Sequence, residues 1–241
     1  MFDRTSMRET SIAMVLATIT GYVDAVGYTR LFGVFPANQS GNVVLFGIAL
    51  GDPDWGHAWG PALAMAAFVA GVAVGVAAGR RLRPRRRMAS LVAVEALGLA
   101  VVAVLAGDLA GRTAPFGGGR EVVMLGVAAL VMGLQTDVIR TAARVSVSTT
   151  FLTGTLVRLA DEVGGTQPRD LARSAEHRRV LAVLGAVVVM YIAGAAVGTA
   201  VADGWGGALW VPAAGAAVLA VWLTVAPGRA APGVPGAGSV P

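Results

Sequence analysis

Apolar residues run along this chain in long blocks, separated by short polar or glycine-rich breaks. A helix needs roughly 20 apolar residues to cross the hydrocarbon core of a bilayer. Six blocks approach or reach that length: 11–31, 58–79, 88–107, 121–140, 180–202 and 206–226. Two shorter apolar pieces, 42–50 and 151–160, fall between the first and second blocks and between the fourth and fifth. Neither is long enough to span unaided. The first block lacks a small-x-small cleavage site after a short apolar core, so it reads as a span and not a signal peptide. The pattern predicts an all-α membrane protein with six transmembrane helices and two short broken or re-entrant helices.

The two halves of the chain resemble each other. Gly21-Tyr22-Val23-Asp24-Ala25 in the first block answers to Gly133-Leu134-Gln135-Thr136-Asp137 in the fourth. Ser40-Gly41-Asn42-Val43-Val44 answers to Thr153-Gly154-Thr155-Leu156-Val157. Residues 68–75 and 191–198 also match, and Gly71 and Gly75 align with Gly194 and Gly198. Three matched features in the same order indicate a duplication. Each half holds three spans, and an odd number makes the second half enter from the opposite face. Such inverted repeats are common in secondary transporters, with the site near the midplane between them. The expected layout is a cytoplasmic N-terminus (1–10), a first repeat (11–110), an inverted second repeat (121–226) and a disordered cytoplasmic tail (227–241). The GxxxG pairs permit close helix contact. Their natural use is to pack the second span against the fifth, with homodimerisation as the alternative.

Composition sharpens this picture. Only 14% of the 241 residues are charged and mean hydropathy is +0.70, whereas an ordinary soluble domain is about 25% charged. The net charge of +5 therefore reads as a bias in membrane loops and not as a nucleic-acid surface. All 19 basic residues are arginine, and with the N-terminus inside, 16 fall on the cytoplasmic side. That asymmetry places both termini in the cytoplasm. The arginines of 80–87 act as a topology anchor and could also meet anionic lipid headgroups. Cysteine is absent and His57 and His177 are the only histidines, so no metal or other cofactor is expected.

Candidate chemistry collects at the interruptions. Pro36 removes a backbone donor and disfavours helix at Phe35. Ser40 is placed to cap the short piece after it. Residues 147–155 carry hydroxyls and Gly154 before the second short piece. Helix starts there would offer unpaired N–H groups to an anion or carboxylate. The expected substrate set is Asp24, Tyr28, Asn38, Ser40, Gly41 and Asn42 from one half, with Gln135, Thr136, Thr153, Gly154 and Thr155 from the other. Gln39 adds a further neutral polar group. Carboxyls inside spans are costly and usually functional or paired, which makes Asp24, Glu95 and Asp137 the candidates for proton coupling. Tyr28, four residues on, could share the face of Asp24. Asp137 could instead form a structural pair with Arg140.

These elements together resemble the YoaK-like bacterial membrane proteins, a family labelled as a domain of unknown function. The first signature lies in 21–28, Phe35 to Asn38 and 40–42, the second in 133–136 and 149–155. The resemblance covers about 11–226 and implies a multispanning inner-membrane protein without an established substrate. Gln39-Ser40 stands where the family pattern has Met-Thr, and Asp137 where it has Asn or Ala.

The leading expectation is a secondary transporter or permease for a small polar or anionic solute, driven by protons. A channel-like pore or a membrane scaffold is the alternative. The chain has no Walker sequence, HExxH, GxSxG or cysteine nucleophile, so no enzyme is expected; Asp54 and His57 read as loop residues.

Overall fold

The computed structural model describes residues 4–53, 55–82, 84–107, 118–142, 156–157, 160 and 175–225. Every regular element among them is helical. Helix α1 covers Arg4–Val26 and continues as a wider π-helical segment, Gly27–Phe32. It stops at Gly33, whose φ of 62° is a left-handed conformation that glycine adopts without a Cβ penalty. A short loop leads to α2 (Gln39–Gly51), and a single turn, Trp55–His57, precedes α3 (Trp59–Gly79). Then come α4 (Pro84–Ala106), α5 (Gly119–Ala142), α6 (Ala175–Gly204) and α7 (Trp210–Val225).

Five segments are long and apolar enough to cross a membrane: Thr10–Phe32, Trp55–Gly79, Arg86–Ala106, Gly119–Ile139 and Leu181–Gly204. They match five of the six expected blocks to within a few residues. The sixth block is shorter than expected, since α7 has 16 residues. Its first residues form turns instead, with Ala208 N donating to Trp205 O and Trp210 N to Gly207 O.

Helix α1 packs along α6, α3 along α5, and α4 against both α5 and α7; α2 lies on α3. The interior is built mainly by α1, α4, α5 and α7. α3 and α6 are peripheral, with most of their apolar residues outside the interior, whereas most of α5 is buried. Their valines and isoleucines, such as Val69 and Ile192, face outward, as lipid-facing residues do.

Glycines set the two tightest seams. A Cβ on Gly194 would run into the carbonyl of Thr18, and one on Gly21 into that of Tyr191. In the other seam, a Cβ on Gly71 would strike the carbonyl of Leu130 and one on Gly133 that of Phe68. A Cβ on Gly198 would stand 2.9 Å from Tyr22 O, and one on Gly75 2.8 Å from Asp137 Cβ. The expected direct packing of the second span on the fifth is therefore replaced: α3 uses its glycines on α5, and α6 uses its own on α1. The apolar interior of a bilayer gives helices little hydrophobic reason to associate, so small residues that let backbones touch decide the pairing.

Candidate functional site

The break after α1 is a folded structure, held mainly by side chains around it. Pro36 lies over Gly27, where a Cβ would be 2.6 Å from the proline ring. The Phe35 ring stacks on Tyr28 at 4.5 Å between centroids and also covers Gly41. Asn42, fully buried, treats Phe35 as a strand partner would. Its Nδ2 donates to Phe35 O at 2.6 Å and its Oδ1 accepts from Phe35 N at 3.0 Å. Asn42 Nδ2 also reaches Gln39 Oε1, and Gln39 Nε2 donates to Pro36 O. Backbone away from regular structure must find partners when water is excluded, and Asn42 supplies two of them.

Asp24 supplies two more. Its Oδ1 accepts from Ala37 N at 2.7 Å and from Asn38 N at 3.3 Å, and its Oδ2 accepts from the Tyr191 hydroxyl at 2.7 Å. The carboxylate thus sits at the start of α2, where orphan N–H groups and the helix dipole favour negative charge. This corrects the expectation of a vacant anion-binding helix start in the first half: the anion there is the protein's own. The N-cap is Asn38, whose side chain accepts from Gly41 N, and Ser40 donates to the capping oxygen instead of acting as the cap. Tyr28 does not share the face of Asp24. It is 42% exposed and stacked on Phe35, whereas Asp24 is buried.

In the second half, Gln135 is buried against α1. Its Nε2 donates to Leu16 O at 3.1 Å, and the Thr20 hydroxyl lies 2.8 Å from its Oε1. Thr136 turns back on its own helix, donating to Met132 O at 3.2 Å. Asp137 pairs with Arg87 of α4, whose guanidinium also donates to Gly75 O at 3.3 Å. The Asp137–Arg140 alternative falls on a side chain outside those described. Glu95 is fully buried in α4, and neither carboxyl oxygen has a hydrogen-bond partner among the described residues. Thr153, Gly154, Thr155 and Asp54 lie outside the described residues, as do most of the second short piece and the tail from 227.

The structure therefore gathers Asp24, Asn38, Ser40, Gly41 and Asn42 into one cluster, and ties Gln135 to α1 at Thr20 and Leu16. Asp137 and Glu95 belong to other seams. Three participants were missed from the sequence: Tyr191, Thr20 and Arg87. A signal existed for Tyr191, since its hydroxyl is the one polar difference between the matched segments 68–75 and 191–198. Nothing local marks the other two.

Helical segments fit for a bilayer, joined by a polar cluster at a helix break, define a helical membrane protein. The chain belongs to the family described as "Protein of unknown function (DUF1275)", whose model matches residues 12–222. No curated protein and no solved structure matches it.

Proposed function

We propose that the protein is a secondary transporter or permease for a small polar or anionic solute, built from two inverted three-span repeats in a bacterial inner membrane. The observation that carries this reading is the first span itself. It breaks at Gly33, and the helix that resumes is clamped to α1 by Asp24, whose other carboxyl oxygen accepts from Tyr191 of α6. Discontinuous helices beside a repeat interface are where transporters of this architecture bind substrate. The inverted repeat is supported by the two glycine seams. Gly21 meets Tyr191 as Gly133 meets Phe68, and Gly194 meets Thr18 as Gly71 meets Leu130. These are corresponding residues of the two halves. The YoaK-like assignment within the family rests on the two sequence signatures.

The test is reconstitution. Purified protein is screened for thermal stabilisation by a panel of amino acids, organic acids and inorganic anions, and stabilising solutes are then assayed for uptake into proteoliposomes under an imposed pH gradient. The reading predicts saturable uptake of at least one solute, lost when Gly41 is replaced by leucine. No stabilisation and no uptake across the panel would contradict it. One observation favours a second reading, a non-transporting scaffold: Asp24 and Asn42 are both engaged by the loop they hold. A scaffold predicts that both residues affect stability while no solute moves.

A further inference from the structure

Seven polar or charged residues are buried among the described residues: Thr20, Asp24, Asn42, Glu95, Gln135, Thr136 and Asp137. Six of them have hydrogen-bond or ion-pair partners. Glu95 is the exception, with both oxygens unpartnered among the described residues.

Its position is as telling as its isolation. Glu95 stands midway along α4, eleven residues from Pro84 and eleven from Ala106. At a rise of 1.5 Å per residue that is about 16 Å from either end, the middle of a bilayer core. α7 carries no titratable residue, and neither does α3. On α5, Arg120 and Glu121 lie at its first turn and Arg140 in its last turn, while Asp137 is held by Arg87, two turns of α4 away from Glu95. At Gly98, three residues on along α4, the α5 neighbours are the apolar Val127 and Val131.

Resting on the transport reading above, we infer that Glu95 is the proton-exchange site that couples transport, in place of Asp24 or Asp137. Asp24 is committed to three donors and Asp137 to a guanidinium. A metal cation would need several oxygen ligands, and neither Glu95 oxygen has a polar partner among the described residues. A proton needs one. The carboxyl holds its proton when sealed between α4, α5 and α7. It releases that proton to water when the helices part towards one face of the membrane, leaving a hydrated carboxylate, and is reprotonated from water on the other face.

The test uses wild-type protein in proteoliposomes and dicyclohexylcarbodiimide, an apolar reagent that adds to protonated carboxyls. Peptide mapping by mass spectrometry is expected to find the adduct at Glu95, with labelling falling as pH rises. An infrared carbonyl band of a protonated carboxyl should fall over the same pH range and be absent in Glu95→Gln. No adduct at Glu95, or labelling and band that stay constant with pH, would overturn the inference. The two readings fail separately. Solute uptake by Glu95→Gln that responds to a pH gradient as wild type does would remove the proton site and leave transport standing. Titration of Glu95 in a protein that moves no solute in the panel would overturn its coupling role and the transport reading together, leaving only a titratable carboxyl.

Discussion

Asp24 and Asn42 carry the break in the first span between them. Truncating Asp24 to alanine leaves the N–H groups of Ala37 and Asn38 and the Tyr191 hydroxyl without their acceptor. Asp24→Ala is expected to lower stability by on the order of 3 kcal/mol, since each buried orphan group costs about 1–3 kcal/mol. Asp24→Asn keeps a carbonyl oxygen for both amides and should lose about 1 kcal/mol. Thermal or denaturant unfolding in detergent compares the two; equal losses would show that the hydrogen bonds are not what Asp24 contributes. Asn42→Asp is the companion case. It preserves shape but replaces the donor to Phe35 O and Gln39 Oε1 with a second acceptor. A loss of about 2 kcal/mol is expected, and wild-type stability for this variant would remove Asn42 from its role. None of these partners was legible in the sequence. The polar types and the proline announced an interruption, but which oxygen meets which N–H is decided by how α1, α2 and α6 converge. For the same reason Asn38 and not Ser40 became the cap.

Helix pairing is decided by a handful of small residues. Gly194→Leu should force α6 away from the Thr18 carbonyl and cost about 1–3 kcal/mol by overpacking. Gly126 has open space where a Cβ would go, so Gly126→Leu should leave the unfolding temperature nearly unchanged. If the two leucine variants unfold alike, the seams are not glycine-determined. Five spans were legible to within a few residues, because twenty apolar residues between polar ends leave little room for error. The sixth was overextended at its start, where Gly206, Gly207 and Ala208 look apolar but belong to turns. The GxxxG spacing revealed that close contacts exist, and it could not say with whom. Spacing along one helix records the need for a near neighbour; the partner depends on the other half of the seam, Gly21 and Gly133, whose contribution shows only in three dimensions.

At the scale of the whole molecule, the contacts between segment ends agree on direction. The Arg8 guanidinium lies 4.8 Å over the Trp222 ring, bringing the start of α1 beside the end of α7. Arg30 pairs with Asp203, joining the ends of the first span and of α6. Arg87 pairs with Asp137, joining the start of α4 to the last turns of α5. Gly194 at Thr18, Gly198 at Tyr22 and the Arg30–Asp203 pair advance together, so α1 runs parallel to α6; Gly71 at Leu130 and Gly75 at Asp137 do the same for α3 and α5. Arg87→Ala should open the α4–α5 seam and take the Arg87 charge from buried Asp137, a change expected to cost about 3–5 kcal/mol; Arg87→Ala with Asp137→Ala should recover part of that loss in the same unfolding assay. All of this suits six passes with opposed halves, on which both the transport reading and the midplane place of Glu95 depend. The chain has no cysteine, so single cysteines introduced at Leu82, Trp205 and Arg229 can be labelled in intact cells and in inverted vesicles with a membrane-impermeant maleimide. Six spans predict that Trp205 labels only from outside, and Leu82 and Arg229 only from the cytoplasmic face. Labelling of Arg229 from outside, with Trp205 and Leu82 unchanged, would contradict the sixth pass and with it the inverted repeat.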